Sequence, residues 1–199
     1  MGGGQQFPTA FFHNVLNTIV LVGLLTQKPF QRIAGFTNSM FQIYAPDLYT
    51  YYSTMLDKLH GWNKNLKRNF LPTMSVFAAA TFNFGLQTIT FPHLDFANLA
   101  WGWCAITALG NFNPDKGGHL ILWDLKLIIR FPPGCTILIP SVLIQHSNTS
   151  IQAHEKRFSF TQYIAVGIFH FVDNDFCSDI STKASPMTEE ERAAWVEDM

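Results

Sequence analysis

The stretch that decides the fold is residues 126–139, Lys-Leu-Ile-Ile-Arg-Phe-Pro-Pro-Gly-Cys-Thr-Ile-Leu-Ile. Two short segments rich in β-branched and apolar residues, 126–131 and 135–139, flank Pro132-Pro133-Gly134. Such segments are typical of β-strands, and a Pro-Pro-Gly sequence between them is a strong turn signal. The stretch therefore predicts two short strands joined by a tight connection.

Segments of the same kind occur on both sides of this stretch. We predict further strands near 76–83, 86–93, 102–109, 118–123, 142–146 and 156–168. Residues 113–118, Asn-Pro-Asp-Lys-Gly-Gly, form another turn signal. Strands this short and this regularly spaced indicate an all-β sandwich or jelly roll.

The part before residue 74 has helical periodicity instead. Apolar residues at i, i+3 and i+4 spacing predict helices near 9–26, 29–41 and 46–61. The apolar run 15–25 is too short to span a bilayer, which favours a buried helix and no membrane association. We expect an α+β fold, a double-stranded β-helix (jelly roll) core buttressed by N-terminal helices. The expected divisions are 1–73 for the helical part, 74–178 for the core and 179–199 for a polar C-terminal helix or tail.

Composition limits the possible classes. The chain has 199 residues, of which 48% are hydrophobic and 14% charged, so a large core can form. Its net charge of −1 does not indicate a nucleic-acid binder, and a DNA-acting protein would need its positive charge placed locally. The three cysteines are far apart and form no Cys-x-x-Cys pair, which predicts a reduced intracellular protein without disulfides or a zinc ribbon.

A His-x-Asp pair lies within residues 89–98, Ile-Thr-Phe-Pro-His-Leu-Asp-Phe-Ala-Asn. On an extended strand, His93 and Asp95 would project from the same face. They would supply two of the three ligands of a 2-His-1-carboxylate site, the ligand set of non-haem Fe(II) oxygenases. The pair alone is weak, since it occurs by chance in many chains.

The third ligand would be a histidine well downstream. His146 closes an apolar segment and is followed by polar turn residues, where a ligand facing an open cavity would lie. His154 lies in a polar loop and is expected to be exposed. We therefore predict an iron site formed by His93, Asp95 and His146.

A 2-oxoglutarate cosubstrate would need a buried cation for its distal carboxylate. Arg157 begins an aromatic strand eleven residues after His146, and Ser159 lies on the same face two residues later. Arginine suits bidentate carboxylate binding, and a bound dicarboxylate would compensate for its burial. The alternative is a strand-edge arginine that reaches solvent.

The one basic cluster comprises Lys64, Lys67 and Arg68, with Lys58 and His60 just before them. It is either a solvated helix end and loop or a patch that contacts phosphates.

These residues lie within motifs that resemble the fungal branch of the TET/JBP dioxygenases, which oxidise bases in nucleic acid. The motifs are His93-Leu-Asp-Phe-Ala-Asn-Leu, Phe-Ala-Ala-Ala-Thr-Phe-Asn-Phe-Gly (77–85), Gly-Trp-Cys-Ala-Ile-Thr-Ala-Leu-Gly (102–110), Gly-Gly-His-Leu-Ile-Leu-Trp-Asp-Leu (117–125), Phe-Pro-Pro-Gly (131–134), Ile-Leu-Ile-Pro-Ser (137–141), His146-Ser-Asn and Arg157-Phe-Ser-Phe-Thr-Gln-Tyr. The similarity covers about residues 2–176. Family members are usually longer at the N-terminus, so the resemblance implies that the start is incomplete and that the protein is nuclear. Because the chain stops soon after a helix predicted from Thr188 onward begins, we also expect the C-terminus to be truncated.

The resemblance also implies roles for residues that spacing alone does not single out. His119 matches a histidine near the cosubstrate's other carboxylate, although a core histidine is the alternative. Asn98 matches an asparagine that hydrogen-bonds a flipped base, and the alternative is a turn residue. Trp101 could stack on that base, unless it is a core aromatic. The family often has arginine between the first two ligands, where this chain has Leu94, which leaves any DNA contact at that position in doubt.

The expected function is that of an Fe(II)- and 2-oxoglutarate-dependent dioxygenase. It would oxidise a methyl group on a flipped base of DNA, with O₂ as cosubstrate and release of succinate and CO₂. We expect a monomer. One alternative is the same chemistry on a protein or small molecule, and the other is an inactive jelly-roll binding module derived from a transposon-associated copy.

Overall fold

The computed structural model describes residues 15–177, with side chains assigned from residue 19 onward. The elements in chain order are α1 (Val15–Leu25), α2 (Lys28–Tyr44), α3 (Pro46–Trp62), β1 (Ala79–Asn83), β2 (Cys104–Asn111), β3 (Leu120–Leu122), β4 (Leu127–Ile129), β5 (Thr136–Ile139), β6 (His146–Asn148), β7 (Lys156–Tyr163) and α4 (Val166–Asp173). The predicted start of the first helix, 9–14, and the predicted tail, 179–199, lie outside the described residues.

The seven strands form two antiparallel sheets. The larger sheet has the order β1-β7-β2-β5, and the smaller one has the order β4-β3-β6. An architecture of helices packed on antiparallel sheets is therefore confirmed. Closure of the sheets into a double-stranded β-helix, and division of the chain at residue 73, stay predictions.

Prolines set the boundaries of the helices. Pro29 lies in the first turn of α2 and Pro46 begins α3, positions at which proline needs no helical hydrogen bond. Pro46 also disfavours helical geometry at Ala45, where α2 ends with φ −143°. The helices predicted at 29–41 and 46–61 are thus present with slightly wider bounds.

Two apolar clusters form most of the core. The first packs the helices on the larger sheet, where Phe41 of α2 stacks on Phe77 at 5.3 Å between ring centroids and Tyr52 of α3 is buried against both. The second contains buried side chains of both sheets, including Cys104 of β2 and Leu122 of β3. The two sheets therefore face each other across a shared apolar layer.

Three predicted strands differ from the structure. Segment 86–93 is irregular and pairs only through the isolated bridges of Gln87 with Arg157 and of His93 with His146; Pro92 offers no N–H to a longer ladder. Segment 142–146 begins with a turn, because the N–H groups of Leu143 and Ile144 both donate to the carbonyl of Pro140.

The third difference concerns segment 156–168, which is a strand only as far as Tyr163. Helix α4 follows, because Phe169 and Val172 recur at helical spacing and are buried in the helical core. Within residues 15–177, no helix has the length and apolar character that crossing a membrane requires.

Candidate metal and cosubstrate site

His93, Asp95 and His146 converge at one edge of the smaller sheet. Nε2 of His93 lies 3.7 Å from Oδ1 of Asp95, and Nε2 of His146 lies 3.9 Å from Oδ2 of the same carboxylate. One potential ligand atom from each residue lies within 4.8 Å of those of the other two. This is the only such group of three metal-binding side chains in the described part of the chain.

The orientation of both imidazoles suits metal binding. Nδ1 of His93 lies 2.8 Å from the carbonyl oxygen of Phe91, and Nδ1 of His146 lies 3.0 Å from that of Ile144. A carbonyl only accepts, so each Nδ1 carries the proton and each Nε2 presents its lone pair towards Asp95. Burial lowers the pKa of His146, which keeps that imidazole neutral at pH 7.

Backbone pairing brings the three residues together. His93 and His146 form an antiparallel bridge, and their rings lie 4.3 Å apart between centroids. The N–H of Asp95 donates to the carbonyl of Ser141 at 3.0 Å. Hydrogen bonds to His146 and Ser141 thus hold His93 and Asp95 in place, although neither residue of the pair lies within a named strand.

Arg157 is a buried cation without an anionic partner. It is 2% exposed, and within residues 15–177 it forms no ion pair. The Nη1 group of Arg157 donates a hydrogen bond to the carbonyl of Thr88 at 3.1 Å. Its Nε has no hydrogen-bond partner among the described residues. Burial lowers its pKa to about 10, so the guanidinium is charged at neutral pH and its burial is unfavourable unless an anion binds.

Ser159 lies beside Arg157 on the same face of β7 and is also buried. Its Oγ accepts a hydrogen bond from Nδ2 of Asn83, 2.8 Å away on the paired strand β1. Gly110 of β2 is paired with Arg157 and has a φ of +118°. A β carbon at Gly110 would collide with the carbonyl oxygen of Lys156, so glycine is required beside this arginine.

The His-Asp-His cluster and Arg157 open into one cavity of about 360 Å³. Its lining comprises Thr81, Asn83, Thr90, His93, Asp95, Phe96, Ala97, Asn98, Ile106, Leu120, His146, Asn148, Arg157, Ser159, Thr161 and Tyr163. Five of the predicted residues therefore share this cavity, and Asn98 makes a sixth. Two imidazoles, a carboxylate and a separate unpaired guanidinium are a donor set that fits a divalent metal and a dicarboxylate.

Asn98 lies in a turn that begins at Asp95. Its N–H donates to the carbonyl of Asp95 at 2.9 Å, and its Nδ2 donates to Oγ of Ser141 at 3.2 Å. Oδ1 of Asn98 has no partner among the described residues and remains available as an acceptor. Asn98 is thus both a turn residue and part of the cavity wall.

His119 and Trp101, which were predicted to contact the cosubstrate and the base, do not line the cavity. His119 has its N–H bonded to Oγ1 of Thr149 at 2.9 Å, and its neighbour Leu120 lines the cavity in its place. Trp101 is exposed and packs against Tyr51 at 4.9 Å between ring centroids. The roles predicted for both stay predictions.

The basic cluster lies outside the cavity lining as well. Lys64 and Lys67 are exposed, whereas Nη2 of Arg68 pairs with Oδ1 of Asp57 at 2.6 Å. Asp57 offsets part of the positive charge that a phosphate would meet there.

Sequence reasoning missed several residues that shape the site. Asn148 is buried; its Oδ1 accepts from the N–H and Oγ1 of Thr90, and its Nδ2 donates to the carbonyl of Thr88. It thereby fixes the segment whose Thr88 carbonyl binds Arg157. The sequence signal that could have identified them is a polar residue within an apolar strand, such as Asn83 between two phenylalanines.

Among solved structures, the chain is similar to NgTET1 in complex with 5mC DNA, with a TM-score of 0.54 and 17% identity over 72% of this chain and 54% of that chain. The chain thus spans about half the length of NgTET1. At this identity the likeness establishes the fold alone, and the predicted fungal branch stays a prediction.

A viral collagen prolyl hydroxylase, vCPH from Paramecium Bursaria Chlorella virus-1 in its 2OG complex, is also similar, but only weakly. Its TM-score is 0.31 at 14% identity, over 43% of this chain and 60% of that chain, which is too low to support a conclusion. No protein-family model and no curated protein matches the chain.

Proposed function

We propose that this chain is an Fe(II)- and 2-oxoglutarate-dependent dioxygenase that oxidises a methyl group on a base of DNA. One observation carries the proposal. The His-Asp-His cluster opens into the same cavity as the buried Arg157, which pairs with no acidic side chain among residues 15–177. An isolated metal site would not need the arginine, and an isolated arginine would be unfavourable without a bound anion.

His93, Asp95 and His146 are the proposed metal ligands. With Fe(II), 2-oxoglutarate and O₂ bound, this centre supplies the oxidising power to hydroxylate a C–H bond while succinate and CO₂ are released. The protein's own part is to aim both Nε2 atoms inward, because the carbonyls of Phe91 and Ile144 bind the Nδ1 protons and so fix the tautomer of each imidazole.

Arg157 and Ser159 are the proposed contacts for the distal carboxylate of 2-oxoglutarate. The Nε of Arg157 lacks a partner, and a carboxylate oxygen would supply one. The hydroxyl of Ser159 accepts from Asn83, which leaves its proton free to donate to the same carboxylate. His119 would contact the other end of the cosubstrate, as the family resemblance implies.

A base stacked inside a duplex cannot reach this cavity, so base flipping is part of the proposal. Asn98 would hydrogen-bond the edge of the flipped base through its free Oδ1. Lys64, Lys67 and Arg68 are the proposed phosphate contacts, and Trp101 a further candidate for stacking. The likeness to NgTET1, a structure with 5mC DNA, supports DNA as the substrate. A nuclear location, implied by the family resemblance, is also part of the proposal. A closed jelly roll and a monomeric state complete the proposal.

The first experiment tests the cofactors. The purified chain is titrated with Fe(II) under anaerobic conditions, and 2-oxoglutarate is then added while heat of binding is recorded. We expect one Fe(II) site and a 2-oxoglutarate affinity that depends on the metal. Absence of both binding events would reject the enzyme and favour the non-enzymatic binding module.

The second experiment tests the substrate. DNA and RNA containing 5-methylcytosine, N6-methyladenine or thymine are incubated with the loaded chain, and nucleosides are analysed by mass spectrometry. We expect an oxidised methyl group in one of the DNA samples. If 2-oxoglutarate is converted to succinate but no nucleoside changes, the same chemistry acts on a protein or small molecule instead.

A further inference from the structure

Phe96 is a solvent-exposed aromatic side chain at the mouth of the cavity. It is 76% exposed and nevertheless belongs to the cavity wall. Among the described residues no other ring contacts it. Single exposed apolar side chains are common, but this ring also lines the cavity, where a molecule bound at the mouth would cover it.

The backbone around Phe96 holds the ring in this position. Asp95 and Asn98 close a turn through their 2.9 Å hydrogen bond, and Phe96 and Ala97 are its central residues. The N–H of Asp95 is bonded to Ser141, and the carbonyl of Ala97 accepts from Val166 at 2.8 Å. One anchored turn therefore carries a carboxylate, an aromatic face and an amide in succession.

The composition of segment 84–98, which carries Phe96 to the cavity, limits the kind of partner that can bind there. Residues 84–98 contain no lysine, arginine or glutamate, and Asp95 is their only acidic residue. Five large apolar side chains of this segment are exposed, Phe84, Leu86, Ile89, Phe91 and Phe96. This segment offers no cation to a phosphate, and Arg157 in the same cavity is only 2% exposed, whereas the flat uncharged face of a nucleobase would cover Phe96 well.

We propose that Phe96 is the stacking residue for the target base at the cavity mouth, with Asn98 contacting the edge of the same base. This inference rests on the proposed function and assigns to Phe96 the stacking contact that the sequence suggested for Trp101. Base–aromatic stacking depends on the face of the ring rather than on sequence readout. Removal of the ring therefore weakens binding of any base at this position.

The test uses the full chain loaded with Mn(II) and 2-oxoglutarate. Its affinity is measured by fluorescence anisotropy for an oligonucleotide of abasic residues that carries one 5-methylcytosine, and for the same oligonucleotide with an abasic residue there too. We expect Phe96→Ala to weaken binding of the first by roughly tenfold and binding of the second not at all. Phe96→Tyr should retain wild-type affinity for both.

Two further variants serve as controls for Phe96→Ala. Phe36→Ala removes an exposed phenylalanine of α2 outside the cavity and should leave both affinities unchanged. Phe96→Leu keeps apolar volume without the aromatic face, so wild-type binding by this variant would overturn base stacking and show that any apolar contact suffices. Equal loss on both oligonucleotides for Phe96→Ala, or no oligonucleotide binding by the wild type, would overturn it too.

Binding of Mn(II) and 2-oxoglutarate separates this inference from the proposed function. Both should bind Phe96→Ala as tightly as the wild type, because the ring contacts neither group. If the wild type binds neither, the proposed function fails. If it binds both, and Phe96→Ala also binds the 5-methylcytosine oligonucleotide normally, only the role of Phe96 fails.

Discussion

The backbones of His93 and His146 exchange two hydrogen bonds, each 3.1 Å from nitrogen to oxygen. This bridge joins two segments fifty-three residues apart, and it sets the imidazoles 4.3 Å apart between ring centroids. Since each Nδ1 is bonded to a carbonyl two residues earlier, the bridge also directs both Nε2 atoms towards Asp95. The geometry of the proposed metal centre therefore follows from backbone pairing.

Asp95→Ala should remove the one carboxylate of this centre. We expect Fe(II) affinity to fall on the order of 100-fold or more and succinate formation to stop, since loss even of an indirect partner of a ligand costs 10–100-fold. Anaerobic calorimetry and a succinate assay measure the two effects. Asp115→Ala is the matched control, because Asp115 is exposed and pairs with Arg130. Unchanged turnover by Asp95→Ala would rule out the assignment.

Arg157→Met should have opposite effects on binding and on stability. We expect 2-oxoglutarate affinity to fall by roughly two orders of magnitude, because a buried charge pair is lost. Without 2-oxoglutarate, Tm should stay the same or rise, because an unpaired buried cation is removed. Thermal unfolding with and without 2-oxoglutarate measures both, with the exposed Arg130→Met as control. A much lower Tm without 2-oxoglutarate would mean that the protein itself stabilises the cation.

Tyr52→Phe should destabilise the contact of α3 with the larger sheet. The buried hydroxyl donates to the carbonyl of Trp103 at 3.2 Å and accepts from its N–H at 3.0 Å. Removing it leaves both groups without that partner, so the free energy of unfolding should fall by about 1–3 kcal/mol. Urea denaturation measures the change, and Tyr44→Phe, at an exposed tyrosine of α2, should show almost none.

Cys104 should resist alkylation in the folded protein. Burial raises the pKa of its thiol to about 12, and the side chain lies against Ser141 beneath the proposed metal site. Cys135 and Cys177 are exposed, so iodoacetamide at pH 8 should label these two alone in the folded chain. Mass spectrometry of the labelled protein checks this, with the urea-denatured chain as the fully labelled control. Equally fast labelling of Cys104 would contradict the packing described.

Much of the fold was predictable because local patterns carry it. The helical spacing before residue 74 and the prolines at positions 29 and 46 gave helices within a few residues of α2 and α3. The strand predictions failed at 86–93, 142–146 and beyond residue 163. In those segments pairing is confined to single bridges, or helical packing against α3 overrides a β-like composition.

The sequence by itself determined which side chains could form the site, since His93, Asp95, His146, Arg157 and Ser159 were all predicted and all line one cavity. Only the tertiary structure decided how they face one another. The inward Nε2 atoms, the burial of Arg157 away from any described acidic side chain and the exposed ring of Phe96 depend on contacts between residues far apart in the chain. Periodicity indicates which face of a strand a residue occupies, but sheet register and burial determine which residues lie opposite it.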